Sequence, residues 1–144
     1  MPASGLIDTG PMVALVDRDD RWHRACVEVL EDLRLPLMTS TAVLTEAFHL
    51  VGDSARERAA LWAFIRSGAI HIGEILDAEL PALEVLMTKY GDRAMDFADA
   101  TLVHLAERES LTDIFTIDHD DFETYRIAGR RRFRIVPDRD RSGR

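Results

Sequence analysis

Acidic side chains stand where this sequence should bury apolar ones. In Met95-Asp-Phe-Ala-Asp-Ala-Thr-Leu-Val-His-Leu-Ala106, a helix puts Asp99 on one face with Leu102, Val103 and Ala106. Asp96 falls one turn earlier on the same face. Glu46 sits inside Thr41-Ala-Val-Leu-Thr-Glu-Ala-Phe-His-Leu-Val51, a stretch apolar nearly all round. Two more acids finish apolar runs, in Leu6-Ile7-Asp8-Thr9 and Thr116-Ile117-Asp118. An Asp ending a buried strand either caps the following helix or faces the crevice beyond the strand ends, where parallel sheets bind ligands. Both readings stay open at this point.

A buried carboxylate is costly unless it is paired, hydrogen-bonded or metal-bound. Bases that could pair with these acids are scarce in the body of the chain. Lys89 is the only lysine, and of 17 arginines seven fall in Arg130–Arg144. That segment carries a local charge of +5 (seven Arg, two Asp), so the net −8 leaves −13 on the rest. Inward acids without inward bases require a divalent cation. Carboxylate oxygens favour Mg²⁺ or Mn²⁺ over zinc, and the five histidines show no HExxH spacing. Other chemistries lack their parts: no GxxxxGK[ST], GxGxxG or GxSxG is present. The signalling lysine of a receiver domain has no counterpart, because Lys89 lies well before the last strands.

The elements that must position these acids alternate. Ser4–Asp8 reads as a buried strand, Pro11–Val16 as a helix with Pro in its first turn, and Asp20–Leu33 as a helix capped by Asp20. Leu35–Met38 reads as a strand, followed by a helix to Val51 capped by Thr39, Ser40 or Thr41. Asp53 or Ser54 opens a helix to Ser67, ended by Gly68. Ala69–Ile72 is a third strand, Asp77–Tyr90 a helix closed by Gly91, and Asp96 or Phe97 opens a helix to Glu109. Asp113–Asp118 and Phe133–Val136, stopped by Pro137, complete five strands. Such alternation predicts an α/β fold with a mostly parallel central sheet covered on both faces.

The chain has 144 residues, which fits one domain spanning residues 1–144, with 130–144 a basic C-terminal strand and tail. At 47% apolar residues, with eight Gly and five Pro, it is neither disordered nor of low complexity. A lone Cys26 excludes a disulfide framework and suits a reducing compartment. No apolar run reaches the roughly 18 residues of a membrane span. The N-terminus lacks the basic and apolar regions of a secretory signal, so a cytoplasmic protein is expected.

Taken in order, five segments resemble the PIN-domain ribonucleases, specifically the VapC-type toxins of toxin–antitoxin pairs. They are Leu-Ile-Asp8-Thr, Thr45-Glu46-Ala, Met-Asp96-Phe-Ala-Asp99-Ala-Thr-Leu-Val, Thr116-Ile-Asp118-His-Asp-Asp121-Phe and Phe133-Arg-Ile-Val-Pro137, and they cover nearly the whole chain. The resemblance implies a three-layer α/β/α fold and Mg²⁺-dependent endonucleolytic cleavage of RNA, with Mn²⁺ an alternative ion. It also implies a homodimer and a cognate antitoxin protein. By the same resemblance Asp8, Glu46, Asp99 and Asp118 are the catalytic acids, with Asp8, Asp99 and Asp118 holding the metal. Asp96 is an additional acid beside Asp99. Thr116, Asp121 and Thr9 are supporting candidates, each with a turn or cap role as its alternative. A PIN nuclease of general RNA or DNA processing, and a PIN-like module that binds without cutting, are the competing readings. Arg130–Arg134 with Arg139, Arg141 and Arg144 either holds RNA phosphates or is a solvated tail. Trp22-His23 either lines a groove for the antitoxin or packs into the core.

Overall fold

The computed structural model describes residues 2–141. Strand β1 (Leu6–Ile7) leads directly into helix α1 (Thr9–Val16), and α2 (His23–Asp32) follows after a turn. Then come β2 (Leu37–Thr39), α3 (Thr41–Val51), α4 (Ala55–Arg66) and β3 (Ile70–Ile72). Helices α5 (Leu80–Lys89) and α6 (Phe97–Arg108) precede β4 (Asp113–Phe115) and the short α7 (His119–Thr124). A hairpin of β5 (Arg126–Ile127) and β6 (Arg131–Arg132) and a last strand, β7 (Arg134–Val136), follow.

The five main strands form one parallel sheet in the order β3-β2-β1-β4-β7. Adjacent strand residues point to opposite faces, and in β1 both Leu6 and Ile7 are 0% exposed. Ile114 and Phe115 of β4 are likewise buried, so the sheet is covered on both faces and the fold has three layers. The expected mostly parallel five-stranded α/β architecture is therefore what forms. The chain winds outward from β1 through β2 to β3, then returns to the other side of β1 with β4. That reversal puts a crevice beyond the carboxyl ends of β1 and β4.

Several local expectations shift. Asp20 does not cap α2; its carboxylate accepts from the Trp22 amide at 2.8 Å in the preceding turn, and the helix begins at His23. The helix expected over Asp77–Tyr90 is a 3₁₀ turn at Asp77–Glu79 followed by α5, whose first turn holds Pro81. Strand β4 stops at Phe115 rather than Asp118. Helix α7 and the antiparallel hairpin lie in a stretch read as neither. Trp22 is 8% exposed and sits 5.6 Å from the His119 ring, so it packs in the core and lines no open groove. Among the described residues no helix is long and apolar enough to cross a membrane.

Candidate active site

The acids meet because three elements begin at the same end of the sheet. Asp8 separates β1 from α1, is 6% exposed, and takes two bonds. Its Oδ1 accepts from the Thr9 amide at 2.8 Å, while Oδ2 accepts from the Thr116 hydroxyl at 2.8 Å. The Thr116 oxygen also accepts from the Asp118 amide at 3.0 Å, so one threonine fixes the spacing of both strand-end acids. Asp118 in turn caps α7 by accepting from the Asp121 amide at 3.3 Å. Cap and cleft readings are thus both true of Asp8 and Asp118.

On α6 the two acids separate in role. Asp96 is exposed and caps the helix by accepting from the Asp99 amide at 2.8 Å. Asp99, one turn in, is 9% exposed and accepts from the buried Tyr125 hydroxyl at 2.8 Å. Helix α3 is held beside α6 by a bond of 2.7 Å between the Ser40 and Thr101 hydroxyls. This brings Glu46 to the cleft half-buried rather than inward as its apolar neighbours suggested, since Leu50 beside it is 58% exposed.

Asp8, Glu46, Asp96, Asp99, Asp118 and Asp121 together line one cleft of about 240 Å³. Its tightest carboxylate group is Asp99, Asp118 and Asp121, with one oxygen of each within 4.8 Å of the others. Asp121 is therefore central, and more than a turn residue. Asp8 stands behind this trio, joined to it through Thr116. Gly10 closes the wall: a Cβ there would lie 2.5 Å from Ile117 Cγ1, so only glycine lets α1 approach the β4–α7 turn.

Crowding of the acids shows in their protonation. Asp8 is raised to about 6, chiefly by burial, against the lowering bonds from Thr9 and Thr116. Asp99 is raised to about 8, first by burial and then by the charges of Asp8 and Asp96. Asp118 is also raised, by desolvation in the cleft and then by Asp121 beside it. Burial and the neighbouring Asp99 push the Tyr125 hydroxyl up, so it stays a donor.

Two functional neighbours carry no sequence signal of their own. Tyr125 is one. Arg93 is the other: its Nε and Nη2 both reach Asp121 Oδ1 at 3.1 Å, so the base-poor body does place one cation at the cleft. Thr9 lines the cleft beside Asp8, with its hydroxyl 3.5 Å from the Val43 carbonyl. No histidine lines the cleft; His23, His104 and His119 are engaged with Ala14, Glu79 and Pro137. The donor set is carboxylate oxygen alone, which suits a hard divalent cation.

The model of the PIN-domain family matches residues 5–128. The chain belongs to the PIN-domain family. It is 30% identical over 134 residues to Ribonuclease VapC26 of Mycobacterium tuberculosis, covering 92% of this chain and 99% of that protein. Its fold is shared with the crystal structure of Mycobacterium tuberculosis VapC20, described as a sarcin-ricin loop cleaving toxin. The TM-score is 0.72 at 20% identity, over 81% of this chain and 92% of that one. A toxin–antitoxin complex from Klebsiella pneumoniae aligns with a TM-score of 0.66 at 20% identity, over 93% and 97% of the two chains. The PIN fold and the VapC-type resemblance read from the five segments are borne out.

Proposed function

We propose that this PIN domain is the toxin of a toxin–antitoxin pair, a Mg²⁺-dependent endoribonuclease in which Mn²⁺ can serve. The observation that carries this is the carboxylate trio of Asp99, Asp118 and Asp121 within 4.8 Å, backed by the buried Asp8 and faced by a single arginine. Asp99, Asp118 and Asp121 would hold the ion, with Asp8 bearing on it directly or through Thr116. When bound, such an ion supplies a water of lowered pKa and positive charge beside the attacked phosphate.

The chain's own groups do the rest. Among the described residues no serine, cysteine or histidine lines the cleft, and the Thr9 hydroxyl bonds the Val43 carbonyl, which supports water rather than a side chain as the attacking group. Cys26 is buried elsewhere, its thiol pushed up to about 12. Glu46, half-buried at the mouth, orients that water and takes its proton. Tyr125 keeps Asp99 in place and Thr116 keeps Asp8 and Asp118 at fixed separation.

VapC26 is named a ribonuclease and the VapC20 structure that of an RNA-loop-cleaving toxin, which supports RNA as the substrate. The Klebsiella complex supports a protein antitoxin. Leu80 and Phe97, both exposed, line one apolar groove with Leu83 and Met87 that offers a face for a second copy, and the protein acts in the cytoplasm as a homodimer. The test is cleavage of end-labelled RNA by purified protein with Mg²⁺ or Mn²⁺. Activity should stop with EDTA; cleavage unchanged by EDTA would remove the metal mechanism. Expression of the chain alone should arrest growth, relieved by co-expressing a small adjacent gene for the antitoxin.

A further inference from the structure

The basic C-terminal segment divides sharply in the folded protein. Arg134 pairs with Asp113 at 2.9 Å, Arg139 with Asp120 and Glu123 at 2.9 Å, and Arg141 with Glu28. Those three arginines serve the fold, and Arg144 lies outside the described residues. Arg130, Arg131 and Arg132 differ: all three are exposed, consecutive, and without an acidic partner among the described residues. They form the end of the hairpin turn and strand β6.

That hairpin is held rigidly. Ala128 and Gly129 both take positive φ (53° and 75°), and the Arg130 amide donates to the Ile127 carbonyl at 3.2 Å. Ile127 is fully buried. The Arg126 guanidinium donates to the carbonyls of Glu123, Thr124 and Tyr125 at 2.7–3.0 Å, closing the end of α7. Its amide donates to the Tyr90 hydroxyl at 3.0 Å. Lys89 brings a fourth cation to the turn, its Nζ 3.7 Å from where a Gly129 Cβ would stand. Tyr125, the residue before the hairpin, is the one bonded to Asp99. The cationic strand is therefore fixed to the back wall of the acid cleft.

We infer that the 126–132 hairpin is the docking strand for the RNA backbone, with Arg130, Arg131 and Arg132 contacting phosphates outside the cleft. This rests on the ribonuclease reading above and extends it to how substrate is held. An acidic cleft on a chain of net charge −8 repels a polyanion, so affinity must come from cations beyond the acids. Arg130 in the turn and Arg131 and Arg132 in β6 put three exposed guanidinium groups on consecutive residues, a density of positive charge suited to the phosphates of one strand. A strand held by Ile127, Arg126 and Tyr90 presents its cations with little ordering cost on binding.

The experiment uses the full chain in EDTA, so that binding is read without cleavage. A fluorescein-labelled single-stranded RNA is titrated at several NaCl concentrations. Replacing Arg130, Arg131 and Arg132 together with Ala should weaken binding and flatten the slope of log K against log salt by about 2. Replacing Arg134, Arg139 and Arg141 with Ala changes the net charge equally and should leave that slope unchanged. The triple Lys replacement of 130–132 should retain the slope, and thermal melts establish that each variant folds. Equal flattening in both Ala triples, or none in either, overturns the hairpin assignment. So does RNA binding untouched while capture of the acidic or antitoxin partner is lost. If wild type cleaves RNA but the hairpin variants bind with an unaltered slope, only this inference fails. A wild-type chain that neither binds nor cuts RNA fails the ribonuclease reading itself.

Discussion

The Tyr125 hydroxyl donates to Asp99 Oδ2 at 2.8 Å, and both residues are buried. This bond holds a buried acid of the cleft against the wall from which the cationic hairpin springs. Tyr125→Phe keeps the ring contacts with Tyr90 and Phe122 but removes the donor. We expect a loss of about 1–2 kcal/mol in unfolding free energy. Asp99 should then protonate still more readily, so Mn²⁺ binding at neutral pH weakens and recovers as pH rises. Calorimetric titration across pH checks this; unchanged binding would mean the hydroxyl does not govern Asp99.

Thr116→Val tests the joint between the two strand-end acids. The side chain is fully buried, and the replacement removes the donor to Asp8 Oδ2 and the acceptor of the Asp118 amide, while the Thr9 amide still bonds Asp8 Oδ1. The expected cost is about 1–3 kcal/mol, with cleavage reduced more than RNA binding. Urea unfolding and the cleavage assay read the two effects separately.

Asp96 and Asp99 should respond differently to the same change. Asp99→Asn removes an anion from the crowded group and should abolish cleavage and weaken metal binding, while raising the melting temperature in EDTA. Asp96→Asn keeps a competent cap and should retain most activity, whereas Asp96→Ala should cost about 1 kcal/mol of stability. A dead Asp96→Asn beside an active Asp99→Asn would exchange their roles.

Metal-free stability should fall with rising pH. Asp8 at about 6 and Asp99 at about 8 lie above their unfolded value of 3.8, so the native state binds more protons across that window. Stability is therefore lost as pH climbs from about 4 toward 8. Glu79, lowered to about 2 by bonds from Leu76, His104 and Arg108, acts oppositely and only at acid pH. Melts in EDTA should peak at about pH 4, and added Mg²⁺ should restore stability at higher pH. A flat profile above the peak would mean the acids are already neutralised within the fold.

Arg93→Ala frees Asp121 from its guanidinium. With that cation gone, Mn²⁺ should bind roughly two- to five-fold more tightly, in line with a partly exposed ion pair. Weaker binding would show that Arg93 organises the trio rather than competing for it.

Asp99 was legible in the sequence because helical periodicity is strong over twelve residues and an acid on its apolar stripe stands out. Asp8 and Asp118 were legible because each ends an apolar run. The central place of Asp121 is not legible in the sequence, since α7 has six residues, too few for periodicity to show. The hairpin strands are two residues long and mostly arginine, with no apolar alternation to mark them. Tyr125 and Arg93 are set by tertiary packing alone. Glu46 is shallower than its apolar neighbours imply, because α3 packs against α1, α6 and α4 while its Glu46, His49 and Leu50 side opens to the cleft mouth and solvent.

Asp8 and Thr116 are 108 residues apart, yet they touch only when β4 has paired beside β1. During synthesis the first acid must wait for most of the chain before its partners emerge, and β4 cannot add to the sheet earlier. A ribosome-bound fragment ending before Asp118 holds no complete acid group, however well its first half has folded. The order of the strands thus leaves the acid group unassembled until β4 and the turn that carries Asp118 have been made and paired beside β1.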